Sequence, residues 1–159
     1  MCVLSDSTLH SRLAELFLNH TEQHQFVNPA SVDIRIGANL KYSDESQWDL
    51  TKEPYIMMPK EFVLISTYEH IMVPVDCAVE LKLKSSRARE GFDHSLAFWV
   101  DPGWDGILTM EVHNMNQHRM LKVEYGMRFA QIIVHKLDKP VEVAYNGRYQ
   151  HANSVEAAK

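Results

Sequence analysis

Hydrophobic positions recur at two spacings along this chain, and the change from one to the other marks its organisation. Near the start, Leu9, Leu13, Leu16 and Phe17 fall at helical spacing and form one apolar stripe. Asp6 or Ser7 stands before them as a cap, because a short polar side chain satisfies the free N–H groups of a first turn. The stripe fades at Asn19 and His20, and residues 22–26 read as a loop. From Val27 onward the period becomes two. Residues 33–37, 61–67, 78–83 and 107–113 alternate apolar and polar, and 128–135 do so less cleanly. These short segments are punctuated by Pro, Gly, Asn and Asp, which predicts an all-β barrel or sandwich behind one short helix. Residues 41–55 are polar and irregular and read as a long surface loop. The tail 151–159 is small and polar and is expected to be mobile.

Composition narrows this to a soluble globular protein. The chain has 159 residues, 45% hydrophobic and 23% charged, which suits one domain over 1–159. No internal repeat, low-complexity tract or second-domain linker is visible. Sixteen basic against twenty-one acidic residues leave a net charge of -5, which argues against a bulk electrostatic grip on nucleic acid. A small local site for a phosphorylated metabolite remains open. Cys2 and Cys77 form neither a disulfide framework nor a zinc pattern, so a reducing compartment is the default. No apolar run approaches the roughly 18 residues of a membrane helix. The N-terminus lacks the charged and apolar regions of a signal peptide. A cytoplasmic protein is expected, in the host cytoplasm if the source is viral.

Chemistry concentrates between residues 84 and 111. Lys84-Ser85-Ser86-Arg87-Ala88-Arg89 supplies cations and short hydroxyl donors suited to phosphate oxygens. Asp101-Pro102-Gly103-Trp104-Asp105-Gly106 reads as a tight hairpin whose glycines let a backbone approach a ligand. In the strand that follows, Leu108, Met110 and Val112 share one face, while Thr109, Glu111 and His113 share the other. A carboxylate on a rigid strand beside a phosphate-binding turn can serve as a general base on a nucleotide; a solvent-facing strand glutamate is the plain alternative. The nine histidines, His94, His113, His118 and His135 among them, show no metal-ligand spacing.

Five ordered stretches resemble the dCTP deaminase family of the trimeric dUTP pyrophosphatase superfamily. Leu4-Ser5-Asp6 is similar to the family's opening. Asn28-Pro29-Ala30-Ser31-Val32-Asp33-Ile34-Arg35-Ile36-Gly37 resembles its QPASxDLRLG stretch, and residues 84–91 resemble RSSLARxG. Residues 97–114 resemble AxxIDPGFxGxxTLELxN, and residues 126–131 with 145–150 resemble PGMxIAQL and YxGKYQ. The resemblance spans most of residues 4–150. It implies a mainly β fold, a distorted β-barrel of the dUTPase-like β-clip type, assembled as a homotrimer with active sites between subunits. It also implies hydrolytic deamination of dCTP to dUTP and ammonia, feeding dTTP precursor supply. Mg2+ would ride on the triphosphate rather than in a protein cage. The zinc deaminases' H-x-E…C-x-x-C signature is absent, so no zinc is expected.

Carried over residue by residue, the resemblance makes Glu111 the general base for water attacking C4 of cytosine, with Ser85 and Arg89 reaching toward the reacting end. Lys84, Ser85, Ser86 and Arg89 would hold the triphosphate; the plain reading is a polar turn. Ala97, Val100 and Asp101 would line the nucleoside site, with Asp101 meeting the sugar hydroxyl or bracing the turn. Gln131, Tyr145, Arg148 and Gln150 would close over the phosphates. Lys84 and Arg148 replace the family's usual arginine and lysine, and the chain beyond Gln150 departs from the family's tail. Phe98 and Trp99 are bulkier than the pattern suggests and receive no chemistry. Asp33 and Arg35 lie two apart and are expected to form ion pairs organising a subunit interface. Two further readings stay open: a bifunctional enzyme running dCTP to dUMP, left possible by Asp101, and a non-catalytic nucleotide-sensing trimer.

Overall fold

The computed structural model describes residues 2–42, 46–94 and 97–158. In chain order these form β1 (Cys2–Val3), α1 (Asp6–Leu16), α2 (His20–Gln23), a 3-10 turn (His24–Phe26), β2 (Val27–Asn28), β3 (Ser31–Lys41), β4 (Gln47–Asp49), β5 (Tyr55–Met57), β6 (Phe62–Met72), β7 (Cys77–Leu83), α3 (Ser85–Glu90), β8 (Phe92–His94), β9 (Trp99–Val100), β10 (Asp105–Asn114), β11 (Leu121–Val123) and β12 (Arg128–Lys136). The fold is mainly β, as the period-two segments predict. The helix α1 starts at Asp6 and buries Leu9, Leu13 and Leu16, with Phe17 just beyond its end. That stripe seals one side of the sheet. Residues 22–26, expected as a loop, instead continue into the short α2 and the 3-10 turn.

One curled sheet runs in the order β8-β10-β6-β3-β12-β7-β9, with β1 joining β12 and β2 and β4 joining β3. All its pairings are antiparallel. The hinge of the curl is β3. Its first half pairs with β12, opposing Asp33 to Gln131, and its second half pairs with β6, opposing Ile36 to Thr67 and Leu40 to Ile65. Between Ile36 and Leu40 the register shifts, a bulge that bends the strand out of one half-sheet and into the other. Gly37 sits in this bend because the backbones nearly touch. A Cβ there would lie 2.4 Å from the Thr67 carbonyl oxygen and 2.5 Å from Ser66 Oγ. Inside the curl, Ile34, Ile36, Leu40, Ile65, Met110, Phe129 and Ile132 are wholly buried.

Residues 41–55 are not one loop. The strand β4 returns along β3, opposing Trp48 to Leu40, and β5 pairs with β11 in a separate two-stranded ribbon. Residues 43–45 lie outside the described set. Tyr55 meets Trp48 and Tyr42 edge-on, with ring centroids 5.6 and 5.3 Å apart. Single aromatics set among polar residues carry this hairpin, so no alternation announces it. Among the described residues no helix is long and apolar enough to cross a membrane.

Replacing Gly37 by Ala is expected to destabilise the fold by about 2–3 kcal/mol, since the clash is with backbone that cannot swing aside. Urea unfolding of the variant against wild type measures it.

Candidate active site

The strand β10 does what its alternation predicts. Leu108, Met110 and Val112 are buried in the core, and Thr109, Glu111 and His113 look the other way, half-buried. Over that second face lies a cavity of about 480 Å³, with Glu111, Thr109, Ala97, Val100, Asp101 and Tyr145 in its wall. Leu64, Leu81, Trp104, Leu108 and Tyr149 also line it and make most of the rest apolar. Glu111 is therefore a carboxylate in a largely hydrocarbon setting. Burial penalises its charged form and pushes its carboxyl above the ordinary range. A base so shifted holds a proton more strongly than a solvated glutamate, which suits a group that must take one from water.

The hairpin at the cavity's edge is held from behind. Gly103 has φ +92, a left-handed conformation that glycine adopts without strain, and a Cβ there would meet Ala144 Cβ at 2.6 Å. The Tyr145 amide donates to the Pro102 carbonyl at 2.8 Å. The Gln150 side chain donates to the Gly103 carbonyl at 2.8 Å and accepts from the Asp105 amide at 3.2 Å. Gln150, read as a phosphate contact, is thus occupied with bracing the hairpin. Tyr145 packs on Trp104 at 5.6 Å between centroids. The tail continues along β10: Ile107 N–H donates to the Ala152 carbonyl at 2.7 Å, and Glu156 N–H donates to Thr109 Oγ1 at 2.9 Å. Ala152 and Val155 are buried, and Glu156, Ala157 and Ala158 reach the cavity wall.

The cationic segment lies elsewhere. Residues 85–90, expected as a turn, form the short helix α3, closed by Gly91 at φ +102. Ser85, Ser86 and Arg89 are exposed on it, while Arg87 pairs with Glu90 at 2.8 Å. Lys84 precedes the helix with its ammonium 2.5 Å from Oδ1 of Asp33, a carboxylate only 1% exposed. The same oxygen accepts from Asn28 Nδ2 at 2.9 Å, and Arg128 stands 3.3 Å from the other. To reach a phosphate, Lys84 would have to share or leave that contact. Gln131 is nearby on β12, accepting from Ser31 Oγ at 3.0 Å. Arg35 pairs with buried Glu69 at 2.7 Å and lies over the Tyr68 ring at 3.9 Å. Asp33 and Arg35 therefore both form ion pairs within the chain itself.

Glu111, Ala97, Val100, Asp101 and Tyr145 thus share one cavity. Lys84, Ser85, Ser86, Arg89, Gln131, Arg148 and Gln150 do not line it. The segment preceding Ala97 includes residues 95 and 96, which lie outside the described set. Trp104 and Thr109 are cavity residues that no role was assigned to, although Thr109 was already on the Glu111 face. Nothing in the tail's sequence marked Glu156 to Ala158.

Residues 3–137 match the family described as dCTP deaminase-like. The chain belongs to that family. A dCTP deaminase of Pyrococcus abyssi is 38% identical over 134 residues, which are 84% of this chain and 85% of that relative. A dUMP-forming dCTP deaminase of Persephonella marina is 32% identical over 149 aligned residues, covering 84% of this chain and 82% of its own. Among solved structures, the 2'-deoxycytidine 5'-triphosphate deaminase of Agrobacterium tumefaciens superposes with a TM-score of 0.70 at 19% identity, covering 83% of this chain and 47% of that one. That superposition shows the shared fold, and the family match ends at residue 137, before the segment that braces the hairpin.

Lys84→Ala is expected to cost about 2–4 kcal/mol of stability, because it leaves the buried Asp33 carboxylate short of its closest cation; chemical denaturation checks it. For Glu111 the sign runs the other way. A carboxyl whose folded pKa is raised contributes stability fully below its unfolded pKa and loses it as pH rises through the folded one. Glu111→Gln is therefore expected to melt higher than wild type at about pH 7 and to match it below about pH 4, read by thermal unfolding across that interval.

Proposed function

We propose that this protein deaminates dCTP, giving dUTP and ammonia. The observation that carries the reading is Glu111, half-buried in an apolar cavity and set on a rigid strand beside the Asp101–Gly106 hairpin. Membership of the dCTP deaminase-like family and the names of the Pyrococcus and Persephonella relatives support the substrate.

In this reading the cytosine ring enters the cavity with C4 facing Glu111. The carboxylate takes a proton from a water molecule as the oxygen bonds to C4. The same proton is then delivered to the exocyclic nitrogen, the C4–N bond breaks and ammonia leaves; the added hydroxyl gives up its own proton to become the C4 carbonyl as N3 gains one, so dCTP and water become dUTP and ammonia. Apolar walls keep other water away and strengthen each charge interaction inside. Ala97 and Val100 border the base and Asp101 the sugar. Ser85, Ser86 and Arg89 take the triphosphate, whose Mg2+ travels with it as part of the substrate. Those three side chains are exposed on α3, away from the chain's own cavity, which fits a homotrimer in which α3 of one copy completes the cavity of another. Tyr145 and Arg148 lie on the segment that would close over the phosphates.

A second reading is that the enzyme also cleaves the product to dUMP and pyrophosphate. It is favoured by the dUMP-forming name of the Persephonella relative and by Asp101 at the cavity, a carboxylate able to orient a second water.

Incubating the protein with dCTP and Mg2+ and resolving products by anion exchange decides between them. Ammonia with dUTP supports the first reading, and ammonia with dUMP and pyrophosphate supports the second. Unchanged dCTP would overturn both. Glu111→Gln is expected to lower kcat by about 10²–10⁴-fold with nucleotide binding retained. Arg89→Ala is expected to weaken binding by about 10–100-fold through loss of a bidentate donor. Ammonia release and equilibrium titration with dCTP measure the two.

A further inference from the structure

Trp99 is a bulky residue at the cavity to which the family pattern assigns nothing. Its strand, β9, is anchored on β7, with Val100 opposite Val79 and Trp99 opposite Glu80. The indole ring leans against His135 with centroids 5.9 Å apart, and His135 Nε2 lies 3.4 Å from Glu80 Oε2. The ring is therefore braced on the sheet although it is 46% exposed. From this position Trp99 Nε1–H donates to Asp101 Oδ1 at 3.2 Å. Both side chains border the Glu111 cavity. No protein donor reaches the second oxygen, Oδ2, among the described residues, so it is left to face a ligand. A surface bond of this kind adds little to stability, but it removes the rotamer freedom of a carboxylate that must be aimed.

We infer that Trp99 is a positioning residue, whose indole N–H fixes the Asp101 carboxylate at the mouth of the Glu111 cavity so that its free oxygen accepts a hydrogen bond from a hydroxyl of the nucleoside sugar. The inference rests on the cavity being the nucleoside site proposed above. Phenylalanine at position 99 keeps the ring and its packing but has no donor. Asp101 then samples several rotamers and must be ordered when the nucleotide binds. The cost falls on binding, because the sugar hydroxyl is held alike in the ground state and the transition state.

The test is a double-mutant cycle on the full-length protein with Trp99→Phe, Asp101→Ala and the pair. Trp99→Phe is expected to raise KM for dCTP by about three- to tenfold while kcat changes by less than about twofold. In the Asp101→Ala background the same change is expected to add nothing, because Trp99 acts through the carboxylate. Effects that multiply would mean that Trp99 touches the nucleotide itself, and would overturn the inference. So would an unchanged KM in Trp99→Phe. If wild type releases no ammonia from dCTP, the proposed reaction fails, and the cycle is read on dissociation constants for dCTP instead, where coupling supports the positioning role and additivity rejects it. A wild type that binds no dCTP rejects both.

Discussion

Three strands are tied together at Thr67, and the placement of Glu111 depends on that knot. The bend of β3 presses Gly37 against the Thr67 backbone, where no side chain fits. Thr67 Oγ1 donates to the Glu69 carbonyl at 2.9 Å and accepts from Leu108 N–H at 3.0 Å. Leu108 lies where the pairing of β10 with β6 slips, between Ile107 and Thr109. A slip of one residue on a strand exchanges its two faces. The hydroxyl therefore fixes which side of β10 faces the core and which carries Thr109 and Glu111 into the cavity. A glycine in one strand and a threonine in the next thus set the direction of a carboxylate on a third.

A different force organises the other half. The cationic segment is held by Asp33, buried on β3 and surrounded by Asn28, Lys84 and Arg128. A buried carboxylate is costly unless paired, so its partners are pinned to it. Lys84 stands at the start of α3, and pinning it directs Ser85, Ser86 and Arg89 outward. Packing thus aims the Glu111 carboxylate, and electrostatics aims the cations. Both constraints act through β3, at Asp33 and at Gly37 four residues further on.

Much of this was legible. The alternation of residues 107–113 told which face carries Glu111, because a strand's period is geometric and survives any tertiary context. The stripe of Leu9, Leu13, Leu16 and Phe17 gave α1 for the same reason. What failed had no periodic signal. Residues 85–90 looked like a turn because serines and arginines name no apolar face, yet six residues between an anchored Lys84 and a left-handed Gly91 close one helical stretch. The β4 hairpin rests on Trp48 and Tyr55, single aromatics in polar surroundings. The separation of Ser85, Ser86 and Arg89 from the Glu111 cavity is a matter of topology, which a linear motif does not encode. The bond between Trp99 and Asp101 likewise needs the hairpin's shape.

The seat of the tail has a practical corollary. The last described residues, Ala157 and Ala158, border the cavity, and Glu156 is bonded to the strand that carries Glu111. Anything fused after them begins at the rim of that cavity. At the other end of the described chain, Val3 pairs with His135 on β12, whose ring leans on Trp99 at the cavity. A fluorescent label placed after Ala158 therefore reports on the site as much as it reports on the protein.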